Sequence, residues 1–270
     1  MSQAIAWMDG HWSSPDELPI PVSDRGLRLA DGLFETILIT QGEPHLLSEH
    51  LERWRAGSEL LGMQPPPAQH QLEPLLKEAM AKAGVEHSSA ALRLNWSRGS
   101  GHGRGLAPAT QGCERFWLTL EPYDPDFKPV TTIISRHERR NADSRLSRCK
   151  TFAYGQAVQA RLEAQAAGMD DALLLNTAGE LCCGTTANLF VLRDGTWLTP
   201  PLSSGCLPGV MRARALASGQ CQEAWLGAKL TATDQALLIN SLSCRAIQAV
   251  DGISLPSANQ SQTLWTQLLN

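Results

Sequence analysis

The sequence predicts an α+β chain of two domains, and three observations carry that expectation. Strand-like alternations such as FETILI at 34–39 occur beside amphipathic helical stretches, and the second half mixes strands and helices without regular strand–helix–strand alternation, which disfavours a doubly wound nucleotide fold. The segment EPYDPDFKPV, residues 121–130, sets three prolines among charged residues and reads as a linker near 121–129. A length of 270 residues also exceeds the roughly 100 to 200 of one ordinary domain. The expected units are an N-terminal α+β domain over 1–121 and a larger mixed-sheet domain over 122–270.

Along the first unit, AIAWMDGHWSS reads as two short strands about a DG turn, a hairpin signal. GLFETILITQGEPHLL continues with a strand and a QGEP turn. SEHLERWRAGSELLGM carries Leu47, Leu51, Trp54, Ser58 and Leu61 at helical spacing, with Ser48 as the expected cap and Gly62 near the exit. After QPPP, HQLEPLLKEAMAKAG is a second helix. AALRLNWSRG and CERFWLTLEPY are strands on either side of a glycine-rich loop. Beyond the linker come the strand TTIIS, an arginine-rich segment, and a helix from about Thr151 to Ala167. DDALLLN, LCCGTTANLFVL and TWLTP are strands separated by NTAG and RDG turns. A helix near 209–218, the strand QALLINSL and a last short helix complete the chain.

Hydrophobic residues make up 43% and charged residues 19%, ordinary globular values, and no apolar run approaches the ~20 residues of a membrane span. The opening MSQAIAWMDGHW lacks the basic and apolar stretches of a secretory leader, so the expected location is the cytoplasm. A net charge of −4 gives no general attraction to nucleic acid or anionic lipid. Seven cysteines without CxxC spacing form neither a disulfide framework nor a structural zinc site, and no metal is expected. Cys182 and Cys183 are adjacent in an expected strand, where side chains point to opposite faces. SRHERRNADSRLSRCK holds Arg136, Arg139, Arg140, Arg145 and Arg148 without interleaved aromatic residues, so it reads as a solvated basic face or a lining for an anionic small molecule.

Lysine is scarce, five against eighteen arginines, which shortens the search for a reactive amine. Lys150 stands apart, at a junction of irregular chain and helix beside Cys149 and TFAY. Apolar and guanidinium neighbours disfavour the ammonium, the condition for a nucleophilic lysine; a snorkelling surface lysine is the other reading. SRGSGHGRG, 97–105, lacks GxGxxG spacing; Arg98, His102 and Arg104 suit a mobile loop that meets an anion, or a plain hairpin tip. In CLPGVMRARAL, Pro208 and Gly209 open a helix whose first N–H groups, at Val210 and Met211, suit a phosphate, or simply start a surface helix.

DRGLRLADGLFETI, HLERW, KTFAY, GELCCGTTANLF, LPGVMR and INSL occur in an order and spacing that resemble the fold-type IV pyridoxal-phosphate enzymes, from about residue 5 to 252. That family includes branched-chain and D-amino-acid aminotransferases and aminodeoxychorismate lyases. The resemblance implies a two-domain fold, pyridoxal 5′-phosphate as cofactor and a homodimer acting on an anionic small molecule. It implies that Lys150 bears the cofactor as a Schiff base and shuttles the proton, and that Tyr154, one helical turn on, meets the cofactor's phenolic oxygen. Arg53, the amides of Val210 and Met211, and Ser241 would hold the phosphate; without the family, Arg53 reads as a solvated helix residue paired with Glu49. NSL and the short KTFAY look like the lyases, which release pyruvate and 4-aminobenzoate, a folate precursor. Arg98, Arg104 and the 136–148 cluster are then candidates for the substrate carboxylates, and Thr36 for contact with the reacting ring.

One position departs from the pattern. Between Gly179 and Asn188, which keep the family spacing on the cofactor side, relatives carry a glutamate that pairs with the pyridine nitrogen; here that place holds Cys183. Glu180 lies three residues away, and only a slipped register would bring it there. A neutral thiol makes the ring a weaker electron sink, which suits elimination with aromatisation better than transamination. An aminotransferase of the same fold, a non-catalytic cofactor-binding homologue and a cysteine-based redox or metal protein are the competing readings.

Overall fold

Asp9 and Gly10, the turn of the first hairpin, both take positive φ, 50° and 84°, which lets strands Ile5–Met8 (β1) and His11–Ser13 (β2) pair with the natural twist. The computed structural model describes residues 2–101, 105–108 and 113–270. The chain divides into two units, Met1–Asp124 with Cys149–Ala153, and Pro125–Arg148 with Tyr154–Asn270. The first unit thus takes back five residues of the arginine-rich junction.

In this first unit, helix α1 (Arg25–Leu29) precedes strands β3 (Gly32–Thr40) and β4 (Glu43–Pro44). Helices α2 (Leu47–Leu60) and α3 (Gln69–Ala83) follow, then strands β5 (Ser89–Ser97) and β6 (Arg115–Pro122). The six strands form one antiparallel sheet in the order β2-β1-β6-β5-β3-β4. Its apolar face buries Leu33, Ile37, Ile39, Leu92, Leu94, Leu118 and Leu120 against Trp54 of α2 and Leu72, Leu76 and Ala79 of α3. The helix expected from Ser48 begins one residue earlier. Its cap is Leu46, in the left-handed region at φ 54°, and the Ser48 hydroxyl turns to Glu49 instead.

The second unit holds strand β7 (Val130–Arg140), helix α4 (Gly155–Ala166), and strands β8 (Asp171–Asn176), β9 (Leu181–Gly184), β10 (Asn188–Arg193) and β11 (Thr196–Thr199). Helix α5 (Val210–Ala217), strands β12 (Gln222–Glu223), β13 (Gln235–Ile239), β14 (Cys244–Val250) and β15 (Ile253–Ser254), and helix α6 (Ser261–Leu269) follow. Strands β10, β13, β14, β7, β8 and β9 pair in that order, and β9 pairs back to β10, so the sheet closes like a barrel. Leu173, Leu175, Leu181, Leu189, Val191 and Leu238 fill one core. Ala172, Leu174, Cys182 and Cys183 belong to another, with Ala160 and Ala164 of α4. No helix among the described residues is long and apolar enough to cross a membrane.

Glu35 is the polar exception on the apolar face of the first sheet. It alternates with Leu33, Ile37 and Ile39 and is only 1% exposed. His50 and Arg53, three apart on α2, both reach it. His50 Nδ1 lies 2.7 Å from one carboxylate oxygen; Arg53 donates from Nε to the other at 2.8 Å and also from Nη2. Burial pushes the Glu35 pKa up, but the charge and hydrogen bonds of Arg53, with the hydrogen bond from His50, outweigh it and bring it to about 2. Burial pushes His50 down despite Glu35, so the imidazole is neutral and donates its Nδ1–H.

Both groups take protons less readily folded than unfolded. Their contribution is therefore full above the unfolded values, ~6.5 for His and ~4.3 for Glu, and is lost as pH falls through the lower folded ones. Urea unfolding at pH 7, 5 and 3 should show the Glu35 share, on the order of 3 kcal/mol, disappearing toward pH 2. Glu35→Gln should cost about 3–5 kcal/mol at pH 7, because Arg53 loses its buried partner, and should flatten the dependence below pH 5.

Candidate functional site

Lys150 belongs to the first unit, and its backbone explains why. The Phe34 N–H donates to the Lys150 carbonyl at 2.9 Å and the Phe152 N–H to the Gly32 carbonyl at 3.0 Å, with Thr151 bridged to Leu33 between them. Residues 150–152 thus form an antiparallel contact on the edge of β3 that β5 does not cover. Pairing keeps them extended, so the helix expected from Thr151 starts only at Gly155. Tyr154 is its cap, in the second unit, and no helical turn separates it from Lys150.

Strand parity then places the Lys150 side chain on the same sheet face as Phe34 and Thr36. Its Nζ sits 4.4 Å from the centre of the Phe34 ring, and the guanidinium carbon of Arg93 lies 3.6 Å from the same ring. Arg93 pairs across the sheet with Thr36, and its Nε donates to Asn95 at 2.8 Å. The structure therefore brings together Lys150, Thr36, Phe34 and Arg93. Sequence reasoning missed Phe34 and Arg93, although Phe34, Thr36 and Arg93 lie in alternating strands whose parity marks one face.

Arginines expected to meet substrate have other partners. Arg98 donates from Nε to both oxygens of Asp31 at 3.0 and 2.9 Å, and from Nη1 and Nη2 to the Gly62 and Leu61 carbonyls at 3.0 and 2.8 Å. It ties the end of α2 to the start of β3. His102 and Arg104 lie outside the described residues. In the basic segment, Arg139 donates to the Ser135 carbonyl at 2.6 Å, and Arg140 to the Gly205 and Ser147 carbonyls at 3.1 and 3.2 Å. Arg136, Arg145 and Arg148 are exposed. Arg53, read from the sequence alone as a partner of Glu49, forks onto Glu35.

In the second unit, Asn188 and Cys183 are cross-strand partners. The Asn188 amide donates to the Leu207 carbonyl at 2.9 Å, and its oxygen lies against Gly209, where an added Cβ would overlap it. Gly209 is the cap of α5, so this close approach fixes where the free N–H groups of Val210 and Met211 begin. Arg212 is 3% exposed and anchors the same turn of helix through the Pro200 carbonyl at 2.8 Å and through Glu223. Ser241 sits in a turn held by Asn240, whose side-chain oxygen accepts from the Leu242 and Ser243 N–H groups at 2.8 and 2.9 Å. The start of α5 offers backbone donors suited to a phosphate.

The two cysteines do not point apart. Leu174 pairs with Cys183 and Leu175 with Leu181, leaving Cys182 as the extra residue of a β-bulge. Leu181 consequently enters one core, while Cys182 and Cys183 share the other with Cys206. The hydrogen bond with Cys183, together with burial, pushes the Cys182 thiol pKa up, and burial takes Cys206 up to about 11. Glu180 does not slip into place. Its backbone and carboxylate close a turn with Asn176, whose Nδ2 donates to it at 3.1 Å.

Residues 32–250 match the model of amino-transferase class IV. A putative aminodeoxychorismate lyase from Schizosaccharomyces pombe is 31% identical over 216 residues, covering 77% of this chain and 85% of the relative. A putative branched-chain-amino-acid aminotransferase from Methanocaldococcus jannaschii is 26% identical over 211 residues, covering 76% and 71%. Among solved structures, a putative 4-amino-4-deoxychorismate lyase from Legionella pneumophila superposes with a TM-score of 0.85 at 27% identity, over 94% of this chain and 96% of that one. The chain belongs to the class IV aminotransferase family, the fold-type IV enzymes whose members bind pyridoxal 5′-phosphate.

Proposed function

We propose that the chain is a pyridoxal-phosphate-dependent 4-amino-4-deoxychorismate lyase that releases pyruvate and 4-aminobenzoate. The residues suit the cofactor at two places: a lysine amine over an aromatic face, and the first N–H groups of α5 at Val210 and Met211, which Gly209 leaves unobstructed by a side chain. Bound there, the cofactor would supply an electron sink for the pair left when a proton leaves the carbon bearing the substrate amine. Lys150 Nζ takes that proton, the neighbouring ring carbon expels enolpyruvate, and the ring becomes aromatic. By the family resemblance, Val210, Met211, Ser241 and Arg53 would hold the phosphate, and Tyr154 the phenolic oxygen. Arg93 on the Lys150 face, rather than Arg98, is the guanidinium suited to a substrate carboxylate.

The observation that carries the lyase reading is Cys183. It lies among Ala160, Ala164, Leu174, Cys182 and Cys206, an apolar setting of small side chains and thiols. A cysteine there leaves the pyridine nitrogen without the carboxylate that would retain its proton, so carbanion stabilisation is weaker. Elimination is helped by aromatisation; reversible amino transfer has no such help. The branched-chain aminotransferase relative supports the second reading, an aminotransferase, which amino transfer to 2-oxoglutarate would reveal.

Borohydride added to cofactor-loaded protein should fix the cofactor on Lys150, read by peptide mass mapping, and added aminodeoxychorismate should yield 4-aminobenzoate. Absence of that product, with amino transfer to 2-oxoglutarate present, would overturn the lyase reading. Cys183→Glu should raise half-transamination with D- or L-alanine, followed by absorbance; an unchanged or lower rate rejects the role given to the thiol. Arg93→Gln should raise KM for the lyase substrate by about tenfold or more, as for a lost charged hydrogen bond, while cofactor fixation on Lys150 persists.

A further inference from the structure

We propose that Phe152, seated in a cradle of Gly32 and Gly26, is a positioning residue that sets the reach and direction of the Lys150 amine; this rests on the reading of Lys150 as the cofactor-bearing group. The excursion of chain into the first unit is only Cys149–Ala153, so few contacts determine where its side chains go. Cys149 is buried, with its Sγ 3.9 Å from the Gly57 carbonyl. At the other end Phe152 is gripped on several sides. An added Cβ on Gly32 would fall 2.7 Å from Phe152 Cδ2, nearer still to Cε2, and 2.9 Å from the Trp96 carbonyl. One on Gly26 would meet Phe152 Cε2 at 3.0 Å and Ser97 Cβ at 2.8 Å. The rings of Trp117 and Phe34 flank it, with centroids 5.6 and 6.3 Å away.

Lys150 and Phe152 are two residues apart on an extended segment, so they share a face and move together. The same Gly32 whose missing side chain admits the Phe152 ring also accepts the Phe152 N–H. A side chain at residue 32 therefore pushes on the ring and on this backbone bond at once. The displacement reaches Lys150 through the one intervening residue, Thr151, and lifts its amine from its place over Phe34.

The test compares wild type, Gly32→Ala, Phe152→Leu and the double variant, each reconstituted with pyridoxal 5′-phosphate and reduced with borohydride. Peptide mapping reads how much label sits on Lys150 relative to Lys77, Lys82, Lys128 and Lys229, with thermal melting alongside. Gly32→Ala should raise the cofactor concentration for half-labelling of Lys150 by about tenfold or more and shift the absorbance of the bound cofactor. Phe152→Leu should lose part of the selectivity for Lys150. In the double variant the smaller side chain at residue 152 makes room for the added methyl group, and labelling should recover toward that of Phe152→Leu alone. Wild-type labelling by Gly32→Ala, or a double variant that adds the two losses, would overturn the proposal. Where Gly32→Ala does not fold, undiminished selectivity in Phe152→Leu overturns it and reduced selectivity supports it. Wild-type protein that takes no label on Lys150 removes the underlying reading, and the proposal with it.

Discussion

Two backbone hydrogen bonds, from Phe34 to Lys150 and from Phe152 to Gly32, join a five-residue excursion to an open strand edge, and the candidate chemistry of the first unit depends on them. An amine on a long flexible side chain is a poor reagent until its backbone is fixed, because four rotatable bonds otherwise spread it over a wide volume. Here the fixing uses strand pairing. The parity of β3 then divides the work: Phe34 and Thr36 lie on the face that receives Lys150, while Leu33, Glu35 and Ile37 lie on the face packed by α2. One strand supplies both the core and the candidate reaction surface.

That arrangement gathers positive charge. Lys150 adds to the electrostatic pressure against protonating His50, and Arg53 does the same. Glu35 answers both by remaining ionised in a setting that by burial alone would neutralise it. Its two oxygens are each engaged by Arg53, and His50 adds a third donor, so the buried charge is paired and hydrogen-bonded. The guanidinium of Arg53 is held in one place by these contacts. Its orientation is therefore inseparable from the carboxylate beneath it.

Much of the fold was legible because its signals are local. The DG turn, the FETILI alternation, the helical spacing through Leu47 and Trp54 and the Pro-Gly start of α5 each depend on neighbours within a few residues. What escaped depends on distant strands. A bulge at Cys182 is set by the register of β8, and the late start of α4 by the edge of β3. Glu35 was within reach: FETILI places it in the same alternating set as Leu33, Ile37 and Ile39, and a carboxylate at an inward position asks for a cation. Arg53 and His50, one helical face apart in HLERW, were the answer. Arg98 is the reverse case, since a guanidinium in a glycine-rich loop carries no local sign that Asp31 pairs with it.

The bulge alters what the missing acid means. In a regular strand Cys182 would have faced away, and Cys183 alone would have stood for a lost carboxylate. With both thiols and Cys206 on one side, among Ala160, Ala164 and Leu174, the side chains packed around Cys183 are small and apolar. Arg140 acts on Cys182, and Arg212 with Arg140 on Cys206; both guanidinium groups already have partners, Arg140 in the Gly205 and Ser147 carbonyls and Arg212 in the Pro200 carbonyl and Glu223. A carboxylate placed here would be desolvated with no matched partner of the protein's own, a state that costs several kcal/mol unless a ligand brings the compensating charge. The thiol is thus in keeping with its surroundings. On the proposed reading, a ring nitrogen beside Cys183 would meet no carboxylate to anchor its proton, and the driving force would have to come from the substrate.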